Sequence, residues 1–571
     1  MSNRIFAMKH LLALLSFALL WTACSAPSVP EIDDHELAWH VRWLSNDDRE
    51  GRMTGSIQMV KASHYIREDF RDSGLLPMGE NGGFYQFFEV EMPPVEGDSS
   101  MQVGSTSFSQ VGTVAASADQ TLSGHLVDPS MRRQGSAGNG NIVLLRYRAG
   151  GDKLRSLIRE ATDSGAIGVV VGTHPDDVDE NFDGMIPFKA AEGSLSVPVI
   201  TVSPALLVSL EQQVSEAGAD GLSGVTLMPQ VIREKRTARN VMALAPGTSD
   251  EVIVVGAHYD HLGFGGDSSL APGVHAIHNG ADDNASGTAM VLELAEMYGL
   301  SEVGPQPRER GILFCLWSGE EMGLLGSSYW VANPTIPLEN VVCNVNLDMV
   351  GRMETGKITV ASASTANAFG PALEHAQQFL YDQGFDLEMM VLQNDMPGGG
   401  GSDHMSFHKV GIPAVFFFSG MHSDYHRPTD DWQKITFGRM AELGAGLADM
   451  LVRLQMAPRS DFEYNKPEPA QSAHGGGSRR GSGLWFGSIP DYGNEPEGGG
   501  MALAGTSPGS PAEKAGLLAG DVLKKVGDVE IGDIYDFMDA LGKFKNGDTI
   551  NVEFLREGKL ETAELTFFPR P

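Results

Sequence analysis

From Arg239 onwards the chain predicts an α/β fold, a mostly parallel mixed sheet covered by helices on both faces. Three observations predict it. Largely apolar runs of strand length (VIVVGAH, GILFCLW, VVCNVNLDM, KITVAS, IPAVFFF, with NVMALAPG before them) alternate with segments of helical period. Runs without polar alternation are strands buried on both faces, and helical crossovers are what join parallel strands. Acidic and histidine residues stand at the ends of these runs, where open α/β sheets place their sites.

The elements before Arg239 follow in order. Arg4, Lys9 and His10 precede an apolar run, Leu11–Trp21, and then Thr22-Ala23-Cys24. A basic start, a short apolar core and small residues make an export signal over 1–24. Cys24 resembles the acylated cysteine of bacterial lipoproteins, although Trp21 stands where a Leu-like residue is usual; plain cleavage and an uncleaved anchor stay open. Ser25 after it implies, by the same resemblance, a periplasmic or outer-membrane protein of a Gram-negative cell. Residues 25–33 read as a tether. Residues 34–92 carry two stretches of helical spacing and form the first part of the main domain.

Residues 93–235 change character. Short β-rich runs (TLSGHLVD, GNIVLLRY, GAIGVVVG, SVPVITVS) alternate with Gly/Ser turns and two helical segments, KLRSLIREATDSG and PALLVSLEQQVSEAG. The pattern resembles the protease-associated domain, a β-rich insert of several exopeptidases. The main domain then resumes over 236–457, with helices predicted at SGTAMVLELAEMY, GLLGSSYWVAN, ANAFGPALEHAQQFLYDQG and FGRMAELGAGLADMLVRLQ. Residues 458–481 are rich in Pro, Gly and Ser without period and read as a linker. Residues 482–569 form a further β-rich unit with one helix, YDFMDALGKF. It resembles a bacterial PDZ domain, which implies that the loop Leu484-Trp485-Phe486-Gly487 offers N–H groups to a peptide carboxylate while the strand edge takes the peptide.

A length of 571 residues predicts about three or four folding units. An apolar content of 42% with 20% charged residues is that of a globular protein. The net charge of −33, from 41 Lys+Arg against 74 Asp+Glu, repels phosphate backbones and so excludes a nucleic-acid partner. It also disfavours an anionic lipid surface, leaving a lipid on Cys24 as the membrane attachment. Cys315 and Cys343 sit inside apolar strands and read as buried free thiols.

The residues that carry chemistry are His258, Asp282, Glu320, Glu321, Asp348 and His426. His258 and Asp260 are two apart at a strand end and share a face, so Asp260 can hold the second imidazole nitrogen. Asp282 and Asp283 close a loop before a helix. Asn284 or Ser286 can cap that helix, leaving Asp282 to bridge two metal ions. Glu320-Glu321 occupy a glycine-flanked turn, where two carboxylates call for a cation. Asp348 is the only charge in VVCNVNLDMV, which is costly unless it is paired or ligates metal. His426 lies in a turn-rich stretch after AVFFF. Imidazoles with carboxylates are a hard N/O donor set suited to zinc. His261, His275 and His278 read as substrate-facing or solvent-exposed. Asp403 and His404 follow the glycine run 398–401 and read as a wall of the substrate pocket. No glycine-flanked nucleophile context makes Ser402-Asp403-His404 a hydrolase triad.

In order and flanking residues these motifs closely resemble metallopeptidase family 28, the co-catalytic di-zinc aminopeptidases, over about 34–92 and 236–457. The resemblance implies the zinc aminopeptidase fold and two Zn2+ per chain. His258 and Asp348 would hold one ion, Glu321 and His426 the other, with Asp282 bridging and a cis peptide at Asp282–Asp283. A hydroxide between the ions would attack the peptide bond of a substrate with a free N-terminus, with Glu320 as general base. Carboxypeptidases and glutaminyl cyclases share this fold. A binding protein of the cell envelope that has lost catalysis is the reading from a different class.

Overall fold

A computed structural model describes residues 32–568, apart from 130–139, 149–153, 179–183, 185, 189–193, 267, 272–273, 301–307, 393–400, 467–483, 491–498 and short stretches between 507 and 557. The export segment 1–24 with Cys24 and most of the 25–33 tether lie outside the described residues. So do most of the linker and much of the helix expected at 535–544. No helix among the described residues is long and apolar enough to cross a membrane. Residues Glu91–Arg236 separate as a compact unit from the rest of the chain.

The main unit opens with α1 (Asp34–Leu44) and α2 (Ile57–Asp72). Asp33 and Ser56 stand at their N-caps, where each side chain accepts an otherwise unpaired helix N–H. Its sheet contains β1 (Leu76–Pro77), β2 (Tyr85–Glu91), β3 (Lys235–Ala245), β4 (Val252–His258), β5 (Gly311–Trp317), β6 (Val341–Leu347), β7 (Lys357–Ala361), β8 (Glu388–Val391) and β9 (Ala414–Phe418). The order is β1-β3-β5-β4-β6-β9-β7-β8, with β2 also paired to β3. The four central strands β5, β4, β6 and β9 run parallel. The pairings β3 with β5 and β9 with β7 are antiparallel. The sheet is therefore mixed with a parallel centre, as the uninterrupted apolar runs require.

Helices α3 (Gly287–Leu300), α4 (Leu325–Ala332), α5 (Phe369–Asp382), α6 (His404–His408) and α7 (Phe437–Met456) complete the unit. Alternate residues of the central strands enter two separate cores. Ile253, Val255 and Ala257 of β4 join Ile312, Phe314 and Leu316 of β5 in a core with α1, α2, α3, α5 and α7. Val252 and Val254 join Leu313, Cys315 and Trp317 on the opposite face, with Trp330 and Phe407 of α4 and α6. The period of two along a strand thus buries both faces. Each such side chain contributes about 1.5–3 kcal/mol, which makes the central sheet a stiff platform for the loops at its edge. Cys315 and Cys343 are buried free thiols, as expected.

The start of the expected linker is ordered: Arg459–Phe462 form a turn, Phe462 is buried and Arg310 lies over its ring. The main unit therefore extends past 457, because an aromatic side chain in that polar stretch finds the core.

The unit Glu91–Arg236 holds a seven-stranded sheet in the order Thr106–Phe108, Ser100–Val103, Leu222–Met228, Leu122–Val127, Ile142–Tyr147, Gly168–Thr173, Val199–Val202. Helices Leu154–Asp163 and Pro204–Ala217 belong to it. The C-terminal residues form a sheet of Ser488–Pro490, Met501–Thr506, Val522–Val526, Val529–Glu530, Thr549–Arg556 and Lys559–Thr566. It closes on a core of its own that includes Phe486, Leu523, Phe537 and Phe567.

Candidate metal centre

The parallel strands bring the chemistry together. β4 ends on His258, β5 on Trp317 just before Glu320 and Glu321, and β6 on Leu347 just before Asp348. β9 ends on Phe418 and leads into the loop that carries His422 and His426. Strands of one direction put all these residues at one edge of the sheet.

There the donor atoms converge. His258 Nε2 lies 3.2 Å from Asp348 Oδ1 and 3.3 Å from Asp283 Oδ1. Asp283 Oδ2 lies 3.2 Å from His426 Nε2, which is 3.1 Å from Glu321 Oε2. His261 Nδ1 lies 2.7 Å from Glu321 Oε1 and 3.8 Å from Asp283 Oδ2. Two groups of donors have all their atoms within 4.8 Å of one another: His258, Asp283 and Asp348, and His261, Asp283 and Glu321. Asp283 belongs to both, one carboxylate oxygen facing each side. Both groups offer the imidazole and carboxylate donors that zinc takes. Asp260 stands behind His258, Oδ1 at 3.8 Å from Nδ1, and takes the Glu320 N–H at 3.2 Å.

Electrostatics separates the roles. Burial alone would raise Asp283, but His261, His258 and His426 override it and hold the carboxyl well below the ordinary range. Burial and Asp283 push Glu321 upward, and His426 and His261 overcome them, bringing it to about 2. Glu320 moves the other way. Burial raises it well above the ordinary value against the pull of His258, and Glu321, Asp348 and Asp403 add to the rise. Burial likewise brings Asp403 to about 7. Glu320 is in neither donor group.

The structure corrects the sequence reading at several positions. Asp283, not Asp282, is the aspartate shared by the two donor groups, and the cis peptide is Asp283–Asn284 rather than Asp282–Asp283. Asp282 turns inward: its Oδ1 accepts from Gly351 N at 2.7 Å and Ser286 Oγ at 3.0 Å, and its Oδ2 from His422 Nε2 at 3.1 Å. Adjacent residues of a tight turn point apart, so only one of the two aspartates reaches the centre. Asn284 takes the capping role and accepts from Gly287 N at 2.9 Å. His261 is neither exposed nor free to face substrate; its ring is buried against Glu321. His278 is also buried, held by Ser269 Oγ and the Ala276 carbonyl. His275 is exposed, stacked on Phe264. His404 is no pocket wall: it is buried and stacked on Phe416. Asp403 is fully buried, its charge felt at Glu320.

Other residues went unread. Asp430 Oδ2 accepts from the N–H groups of both Asp282 and Asp283, at 3.0 and 3.1 Å, and sets the turn that aims Asp283. The only sequence signal for it is its place four residues after His426, in PTDDW. Arg52 is fully buried beside the site, where burial lowers it to about 10 against the pull of Asp260, Asp283, Asp430 and Glu321.

Residues 240–451 match the model of peptidase family M28, and residues 495–567 match the PDZ domain. Aminopeptidase YwaD of Bacillus subtilis is 29% identical over 221 residues, 37% of this chain and 43% of that protein. A probable leucine aminopeptidase of Arthroderma otae is 30% identical over 218 residues, 37% of this chain and 56% of that protein. The chain spans about half the length of the curated relatives it matches. Among solved structures, the aminopeptidase of Aneurinibacillus sp. strain AM-1 aligns with 74% of this chain and 94% of its own, at 21% identity and a TM-score of 0.44. The main unit is therefore similar over residues 240–451 to peptidase family M28, and the C-terminal unit to the PDZ domain.

Proposed function

We propose that the chain is an exported di-zinc aminopeptidase that removes N-terminal residues from peptides. The observation that carries this reading is the sharing of Asp283 between two donor groups, with Glu320 outside both. His258, Asp283 and Asp348 would hold one ion. Asp283, Glu321 and His426 would hold the other, with His261 beside Glu321. Zinc there would supply Lewis acidity to the scissile carbonyl and a lowered pKa to the attacking water. Glu320 takes the proton of that water and returns it to the leaving amine. The backbone carbonyl of Asp260, 3.3 Å from Nδ1, would hold the tautomer of His258. The names of the curated relatives favour a free N-terminus over the carboxypeptidase and glutaminyl cyclase alternatives.

The unit Glu91–Arg236 fits a protease-associated insert, and the loop Leu484–Gly487 would take the C-terminus of a second peptide. The segment 1–24 would export the chain, with Cys24 as its lipid anchor in the periplasm or outer membrane.

The test is cleavage of amino-acid anilides with a free amine beside the same anilides N-acetylated, before and after dialysis against a strong chelator. Hydrolysis restricted to the free amine and abolished by the chelator is the expected result. Cleavage of blocked substrates alone, or activity that survives the chelator, would overturn the reading.

A further inference from the structure

The segment from Asn46 to Ser56 lies almost two hundred residues before the matched family region, which begins at 240. It nevertheless runs beneath the metal centre. The Arg52 guanidinium is fully buried and binds backbone carbonyls. Nε donates to Tyr259 O at 2.9 Å, Nη1 to Leu44 O at 2.7 Å and Asn279 O at 2.8 Å, and Nη2 to Gly280 O at 2.9 Å. Tyr259 lies between His258 and Asp260, and Gly280 lies three residues before Asp283. One planar fork thus ties two loops that carry metal-site residues, in a geometry that lysine cannot reproduce.

Thr54 adds a second tie. Its Oγ1 donates to Asp260 Oδ2 at 2.7 Å, while Asp260 Oδ1 accepts the Glu320 N–H. The backbone joins in, with His261 N–H on Arg52 O at 3.3 Å and Gly263 N–H on Gly51 O at 3.0 Å. Glu50, Gly51 and Arg52 have φ of 42°, 65° and 46°, three consecutive residues in the left-handed region that non-glycine residues rarely enter. A Cβ on Gly51 would stand 2.4 Å from His278 O and 2.5 Å from Gly263 O, so only glycine lets the turn press this closely on the loop.

We infer that Arg52 and Thr54 are positioning residues of the metal centre, a brace from the N-terminal segment that fixes the loops bearing His258, Asp260, Asp283 and Glu320. Neither touches substrate. Arg52 sets where the two loops run, and Thr54 fixes the rotamer of Asp260 and through it the Glu320 backbone. This rests on the metal reading of the site, and its test separates the two.

Zinc affinity is measured by competition with a chromogenic chelator for wild type, Thr54→Val, Thr54→Ser and Arg52→Lys, with amide hydrogen exchange on the metal-free proteins. Thr54→Val keeps the size of the side chain and loses the hydroxyl. It is expected to weaken zinc binding at least tenfold, as does Arg52→Lys, while Thr54→Ser restores the wild-type value. Exchange at His261, Gly263 and Glu320 is expected to rise at least tenfold in metal-free Thr54→Val and Arg52→Lys, with the melting temperature of Thr54→Val shifted by less than about 3 °C. Wild-type zinc affinity and wild-type exchange in Thr54→Val would overturn the brace, whether or not Arg52→Lys folds. A wild-type protein that takes up no zinc would overturn the metal reading, and exchange in the metal-free proteins would still decide the brace.

Discussion

At the strand ends Asp283 and Glu321 lie below the ordinary carboxylate range in spite of burial, whereas on the helical side of the same unit burial brings Glu293 to about 9 and Asp69 to about 7. Both regions bury carboxylates beside histidine. At the strand ends donor atoms meet at 2.7–3.3 Å, imidazole against carboxylate. On the helices His40 Nε2 stands 3.5 Å from Glu293 and 3.8 Å from Asp69, and its Nδ1 is engaged with the Tyr65 hydroxyl at 2.8 Å. Burial lowers His40 to about 4, so it stays neutral and gives the acids no countercharge. After burial, Glu36, Glu296, Asp69 and Asp33 raise Glu293 further. The difference teaches that a buried carboxylate stays charged where several imidazole nitrogens converge on it, as at Asp283 and Glu321, and that desolvation raises it where they do not, as at Asp348 and Glu293.

The largest expected effect that sharpens the contrast is at Glu320. Glu320→Gln should lower kcat by about a thousandfold while zinc content stays unchanged, as expected for loss of a proton carrier that is not a ligand. Steady-state kinetics with metal analysis checks this, and substantial turnover in that variant would remove Glu320 as base. Next comes the distinction between neighbours. Asp283→Asn should weaken zinc binding by about a hundredfold or more, because the carboxylate shared by both donor groups is lost. Asp282→Asn should cost stability first, through the Gly351, Ser286 and His422 contacts, and metal affinity less. Equal affinities in the two variants, measured by chelator competition, would break the assignment.

The smallest effect lies on the helical side. The folded-state pKa of Glu293, about 9, exceeds the ordinary 4.5. The stability of its neutral form is therefore fully present below the unfolded value and is lost as pH rises toward 9. Glu293→Gln cannot ionise and should lose less stability between pH 6 and pH 9 than wild type, by on the order of 2 kcal/mol. Urea unfolding at the two pH values reads this directly, and parallel losses would show that Glu293 is already charged at pH 6.

Much of this contrast could be read from residue order, and part could not. VIVVGAH, GILFCLW and AVFFF read as strands because they are short, apolar and rich in β-branched and aromatic residues, as strands buried on both faces are, and the strand ends then located His258, Glu320, Glu321, Asp348 and His426 in one place. The choice between Asp282 and Asp283 turns on the conformation of a single turn, which Asp430 sets from a segment almost 150 residues away. Arg52 and Thr54 were invisible for the same reason: apart from the Leu44 carbonyl, their partners are carbonyls and a carboxylate more than 200 positions downstream. His261 looked exposed because a loop rich in glycine and histidine gives no periodic signal of burial. Side-chain chemistry was legible wherever one strand placed it, and lost wherever distant loops decided it.

The most direct measurement is anomalous X-ray scattering at the zinc edge from crystals of the zinc-loaded protein. Two peaks are predicted, one on each side of the Asp283 carboxylate, the first against His258 and Asp348 and the second against Glu321 and His426. A single peak, or density that leaves Asp283 out of contact with either ion, would contradict the account.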